Sequence, residues 1–201
     1  MKTIYTNLYN KEITVQQIQS NSKYYKVLKN DDNKLIKTEF YDNNNLKHTY
    51  FYLDFESSHQ DILTLNHNKS FSIIEIEVIN ENYFKHFGFE YLNGIIKKKD
   101  LSIYDSNEYC LMIQDITIDT NLPMYNETCK FYNDSSGYQF EFNYFKSGEL
   151  SSIFVSNKTL RFYQPYRTDE LNMIPNFEWW DQYSSYYLNA EPAVPNGIII
   201  V

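Results

Sequence analysis

The chain has 201 residues and a formal net charge of −8, with 20 Tyr and 14 Phe, whereas Ala occurs only at Ala190 and Ala193. Such an aromatic chain can bury a core, which excludes a disordered tail. Two Arg in an acidic chain, with only five Gly, exclude a general nucleic-acid binder and a set of phosphate-cradling loops.

Taken in chain order, the first residues lack the roughly 7–15-residue apolar run of a secretory signal, and no window reaches the roughly 18 residues of a membrane span. A cytoplasmic protein without membrane contact is therefore expected. Thr14 stands as an N-cap before Val15-Gln16-Gln17-Ile18-Gln19 and predicts a short helix. Asp42-Asn43-Asn44-Asn45 reads as the turn that follows a strand through Phe40 and Tyr41. The polar stretch 56–70, with His59 and His67, reads as a solvated loop. Over 70–79 the period is 2, which predicts a half-buried strand with Ile74, Ile76 and Val78 on one face. Glu75 and Glu77 then fall on the other, solvated face.

Asn93-Gly94 is a strong hairpin signal, because both central residues of the turn need positive φ. Lys97-Lys98-Lys99 just beyond it reads as a guard on an edge strand. Residues 110–118 are apolar enough for a central strand, and Asn133-Asp134-Ser135-Ser136-Gly137 is a turn. Tyr138-Gln139-Phe140-Glu141-Phe142-Asn143-Tyr144 alternates cleanly, and Lys146-Ser147-Gly148 is the next turn. Asp169-Glu170-Leu171 and residues 178–187 each predict a turn or two of helix. With about ten strands in all, the fold class is mainly β, an antiparallel twisted sheet or two-sheet sandwich with one or two short helices. A single β-rich domain over 1–201 is expected.

Cys110 and Cys129 read as unpaired small core residues of a reducing compartment, and two cysteines without a clustered His pair predict no metal site. Asn68, Asn126, Asn133 and Asn157 begin Asn-x-Ser/Thr triplets, about as many as 23 Asn produce by chance, and are not read as glycan acceptors.

Superposed turns show a faint internal repeat. Phe40-Tyr41-Asp42-Asn43-Asn44-Asn45-Leu46 matches Tyr144-Phe145-Lys146-Ser147-Gly148-Glu149-Leu150, with Tyr91-Leu92-Asn93-Gly94-Ile95-Ile96 as a shorter third copy. This form resembles the variant MORN-type hairpin repeats, in which a Tyr-x-x-Asn-Gly-x-Leu core recurs. The resemblance covers about a quarter of the chain. It implies a place among bacterial antitoxins and contact-dependent inhibition immunity proteins.

Residues 1–100 hold 13 Lys and 13 acids, whereas residues 101–201 hold 5 Lys plus Arg and 13 acids, so the whole net charge lies in the second half. That half contains both Trp, in Asp169-Glu170 through Glu178-Trp179-Trp180-Asp181 to Tyr183. Aromatics with polar tips are efficient interface anchors, and acids beside them suit a basic partner. The candidate partner-binding residues are therefore Asp169, Glu170, Glu178, Trp179, Trp180, Asp181 and Tyr183. If the pair lies on a strand, only one Trp is buried.

Enzyme chemistry finds little support. No Gly-x-Ser-x-Gly elbow, Gly-x-Gly-x-x-Gly or phosphate-loop sequence occurs. No catalytic residue and no cofactor are expected. The favoured expectation is a toxin-neutralising immunity protein that occludes the active site of a basic toxin domain, such as a nuclease, without contacting nucleic acid itself. It would act as a monomer or weak homo-oligomer. The alternative is a β-sandwich carbohydrate-binding protein or glycoside hydrolase, with aromatics stacking on sugar rings.

Overall fold

Backbone pairing was traced in a computed structural model that describes residues 1–195 and the backbone of Ile198 and Ile199. The strands are β1 (Lys2–Thr6), β2 (Glu12–Ile13), β3 (Lys23–Lys29), β4 (Leu35–Asp42), β5 (Asn45–Asp54), β6 (Ser70–Asn80) and β7 (Tyr83–Leu92). They continue as β8 (Ile95–Asp105), β9 (Cys110–Ile116), β10 (Pro123–Asn133), β11 (Tyr138–Tyr144), β12 (Leu150–Asn157) and β13 (Phe162–Arg167). These thirteen form one sheet in the order β13-β12-β11-β10-β9-β8-β7-β6-β5-β4-β3-β1-β2. Strands β14 (Ala193–Val194) and β15 (Ile198–Ile199) form a two-stranded pair. The helices are α1 (Val15–Ile18), α2 (Gln60–Asn66) and α3 (Trp180–Tyr187), with a 3-10 turn at Leu171–Met173. The expected mainly β, largely antiparallel sheet with a few short helices is thus present, the α-helices numbering three among the described residues. Lys97, Lys98 and Lys99 lie in β8, which has a neighbour on each side, so they do not guard an edge strand.

Left-handed residues account for seven of the 23 Asn. Of the ten non-Gly residues with positive φ among the described residues, seven are Asn, the type whose short amide best tolerates that region. Asn43 and Asn44 (φ 50° and 61°) and Asn93 and Gly94 (φ 53° and 73°) form two-residue turns with both centres left-handed. Loops 7–11, 30–34, 105–109, 134–138 and 145–149 share a longer plan. The first residue donates its N–H to the fifth carbonyl, and the fourth, left-handed residue donates back to the first. In four of them the first residue is Asn7, Asn30, Asp105 or Asp134, whose Oδ1 accepts one or two backbone N–H groups of its own loop. The superposed copy at Tyr144 therefore turns differently from the other two.

Close contacts group the chain into unit 1 (Met1–Glu77 and Phe87–Lys99) and unit 2 (Val78–His86 and Asp100–Val201). In unit 1, β5 and β6 pair in parallel. A parallel pair needs a crossover, not a hairpin, and α2 is that crossover. Its Ile62 and Leu63 pack with Phe51 and Leu53 against buried Phe71, Ile73 and Tyr91. The expected loop at 56–70 therefore contains a helix. The expected faces of β6 are also reversed. Phe71, Ile73 and Glu75 are buried toward α2, whereas Val78 is 65% exposed. Thr14 caps α1 as expected, with Gln17 closing a capping box.

In unit 2, β11 buries Phe140, Phe142 and Tyr144 and exposes Gln139 and Glu141, the expected alternation. α3 lies on that buried face. Tyr187 stacks on Phe142 at 4.1 Å between ring centroids. The C-terminal end of α3 is held by side chains reaching up from the sheet, which satisfy carbonyls the helix leaves without partners. Lys130 Nζ donates to the Tyr186 and Asn189 carbonyls at 2.7 and 2.9 Å. Tyr144 Oη donates to the Tyr187 carbonyl at 3.1 Å, and Gln114 Nε2 to the Ala190 carbonyl at 2.9 Å. Lys130 is fully buried, with Nζ 4.1 Å from the centroid of the Tyr186 ring. Burial pulls its ammonium down to about 7, against a smaller opposing pull from Glu191.

Candidate functional site

Antiparallel strands in sequence send alternate turns to the same end of a sheet. In unit 2 this groups the β6–β7, β8–β9 and β10–β11 turns. Beside them lies an open groove with a cavity volume of about 570 Å³. Tyr83, Tyr109, Tyr132 and Tyr183 supply ring surface to it, with Asp105 and Asp134 from two of the turns. None of its lining residues is Lys, Arg or His.

The local chemistry positions these groups. Asp105 Oδ1 accepts the N–H groups of Asn107 and Tyr109, both at 2.9 Å. Asp134 Oδ1 accepts those of Ser136 and Tyr138, both at 2.8 Å. Each carboxylate is thus locked by its own loop. Tyr83 donates weakly to the Pro195 carbonyl at 3.5 Å. Its hydroxyl is pushed up by burial and by Asp105, and that of Tyr132 by burial, Tyr183 and Asp134. In both, burial is the larger cause, and the two carboxylates add to it.

Of the seven sequence-predicted residues, only Tyr183 lines this groove. Asp169, Glu178 and Asp181 are exposed. Asp169 faces Arg167 at 3.5 Å, and Glu170 accepts the Arg167 N–H at 2.8 Å. The two Trp do not alternate on a strand. They begin α3, and both are half-buried against the core. Trp179 stacks on Tyr132 at 3.8 Å, and Trp180 on Phe177 at 4.8 Å. Their area is spent on folding, with the Trp179 Nε1 proton buried and unpaired among the described residues.

Sequence reasoning missed Tyr83, Asp105, Tyr109, Tyr132 and Asp134. The usable signal was the count of turns, which places 81–82, 105–109 and 133–137 at one end of a meander.

Other chemistry-bearing residues have structural partners. His59 is not solvated: Nε2 meets Glu75 Oε1 at 2.7 Å, and Nδ1 meets Tyr91 Oη at 3.2 Å. These bonds tie the start of α2 to the sheet and satisfy the buried Glu75. His48 sits between Ser70 and Ser72, 2.9 Å from each hydroxyl. Burial holds it below the ordinary histidine value, against a smaller opposing pull from Glu90. Cys110 and Cys129 are free, and burial pushes both thiols up. Among the described residues no group of three or more His, Cys, Asp or Glu is arranged to hold a metal ion, and no helix is long and apolar enough to cross a membrane.

A second, smaller concavity of about 380 Å³ lies in unit 2, where Phe131, Phe154 and Tyr163 accompany Gln139 and Glu141. The structural units sharpen the charge asymmetry. Unit 1 carries 12 Lys and 11 acids, whereas unit 2 carries 6 Lys plus Arg and 15 acids, giving +1 and −9. No family model, curated protein or solved structure matches this chain.

Proposed function

We propose that this chain is an antitoxin-like immunity protein that binds a basic toxin domain in the cytoplasm and covers its active site. The observation that carries the reading is the concentration of charge: unit 2 holds −9 and contains an aromatic groove whose lining includes Asp105 and Asp134 and no base. A surface of one sign speeds encounter with an oppositely charged partner and rejects others. The mechanism is steric and electrostatic, with no covalent step. Exposed Glu178 and Asp181 extend the acidic surface beside α3.

The test is association with the product of the adjacent reading frame, by titration calorimetry and by rescue of growth on co-expression. Tight binding with rescue supports the reading, and an adjacent product that is neither toxic nor bound overturns it. Glu178→Lys with Asp181→Lys is expected to weaken the complex by at least about tenfold, since reversed charges repel a basic surface.

A second reading, carbohydrate binding, is favoured by the smaller concavity, where rings stand beside an amide and a carboxylate able to hold sugar hydroxyls. Saturable binding on a glycan array, lost in Tyr163→Ala, supports it instead.

A further inference from the structure

The acidic groove has more specific chemistry than a negative surface. Its rings offer π faces and hydroxyls, and its two carboxylates are held in place by their own loops. Because Oδ1 of each Asp is occupied by backbone donors, Oδ2 is the oxygen not used by the loop. Tyr109 is 60% exposed and forms an accessible wall, whereas Tyr132 is fixed from behind by Trp179 at 3.8 Å.

A volume of about 570 Å³ exceeds one side chain and suits a short peptide segment entering from the open side. A planar cation matches this set best. A guanidinium stacks on Tyr and donates in a fork to carboxylate, whereas an ammonium is a compact point charge.

We propose that the groove of Tyr83, Asp105, Tyr109, Tyr132, Asp134 and Tyr183 is the docking site for an arginine presented by a loop of the protein partner. The proposal rests on the reading of this chain as an acidic inhibitor and names the contact through which it acts. The favoured occupant is a protein loop rather than a free polyamine, because polyamines have no planar group to lie on the rings.

The experiment titrates a tri-arginine peptide into the full chain, following tyrosine ring signals by NMR. Tri-lysine, spermidine and tri-glutamate are run in parallel. Tri-arginine is expected to saturate and to shift the rings of Tyr83, Tyr109, Tyr132 and Tyr183, with tri-lysine weaker and tri-glutamate silent. Asp105→Asn with Asp134→Asn keeps Oδ1 for the loops and removes only charge. It is expected to weaken tri-arginine about tenfold, as is Tyr109→Ser, which alters an exposed side chain. Asp119→Asn, at an exposed loop elsewhere in unit 2, is expected to change nothing.

Equal affinity for spermidine, an unaffected double variant, or no saturation overturns the docking site. The two readings fail separately. If the toxin partner binds wild type and the double variant alike, the groove assignment falls and the inhibitor reading stands. If tri-arginine occupies the groove but no toxin partner binds, the inhibitor reading falls, and the groove keeps its chemistry.

Discussion

Lys130 makes the fold pH-dependent in a way that can be measured. It is fully buried in β10, with Nζ on the Tyr186 and Asn189 carbonyls at 2.7 and 2.9 Å. Its folded pKa is near 7, against the ordinary 10.5. Between those values the unfolded chain holds the proton and the folded chain does not. Stability therefore rises with pH across that window and loses this contribution as pH falls through 7. The limiting slope is about 1.4 kcal/mol per pH unit; because the folded lysine is half-protonated at pH 7, moving from pH 7 to pH 9 adds about 2 kcal/mol, and starting from pH 6 about 3 kcal/mol.

Other groups titrate there too. The thiols of Cys110 and Cys129 are raised in the fold and oppose the trend near their unfolded values. The variant Lys130→Met keeps those groups, so the difference between the two proteins isolates the lysine. Urea unfolding at pH 6, 7, 8 and 9 is expected to show wild type gaining about 3 kcal/mol on Lys130→Met across the range. A constant difference refutes the reasoning and means that the carbonyls and the Tyr186 face keep the ammonium charged.

Three further outcomes are expected. Glu108 holds φ 64° in loop 105–109, so Glu108→Asn is expected to stabilise by about 0.5–1 kcal/mol, seen as a higher Tm. Phe142 is fully buried and stacked on Tyr187, and Phe142→Ala is expected to cost about 3–5 kcal/mol by denaturant titration. Glu75→Ala leaves His59 Nε2 without its 2.7 Å partner and is expected to cost about 1–3 kcal/mol, with protection of α2 amides from hydrogen exchange falling first.

The sequence was most legible where neighbours decide. The Thr14–Gln17 capping box, the paired left-handed residues at 43–44 and 93–94, and the alternation along β11 all follow from residues within a few positions of one another. Alternation in β6 was also visible, but period 2 defines two faces without saying which is buried. Isoleucine content pointed to Ile74, Ile76 and Val78, whereas α2 covers Phe71, Ile73 and Glu75. The helix itself was hidden by a polar stretch, although a link of this length between two strands is long for a hairpin. The Trp pair misled for a related reason, since the start of a helix can turn two adjacent rings onto one core.

By itself, then, the sequence determined a strand-rich chain, the chemistry of its turns and a net charge gathered toward its second half. Each is local or additive: period, backbone conformation and charge are properties of short segments or sums over them. The tertiary structure decided the parallel β5–β6 pair, the burial of Lys130 under the end of α3, and the groove that joins Tyr83 and Asp105 to Asp134 and Tyr183. These join residues as much as about 100 positions apart, and only the packing of whole elements brings such residues together.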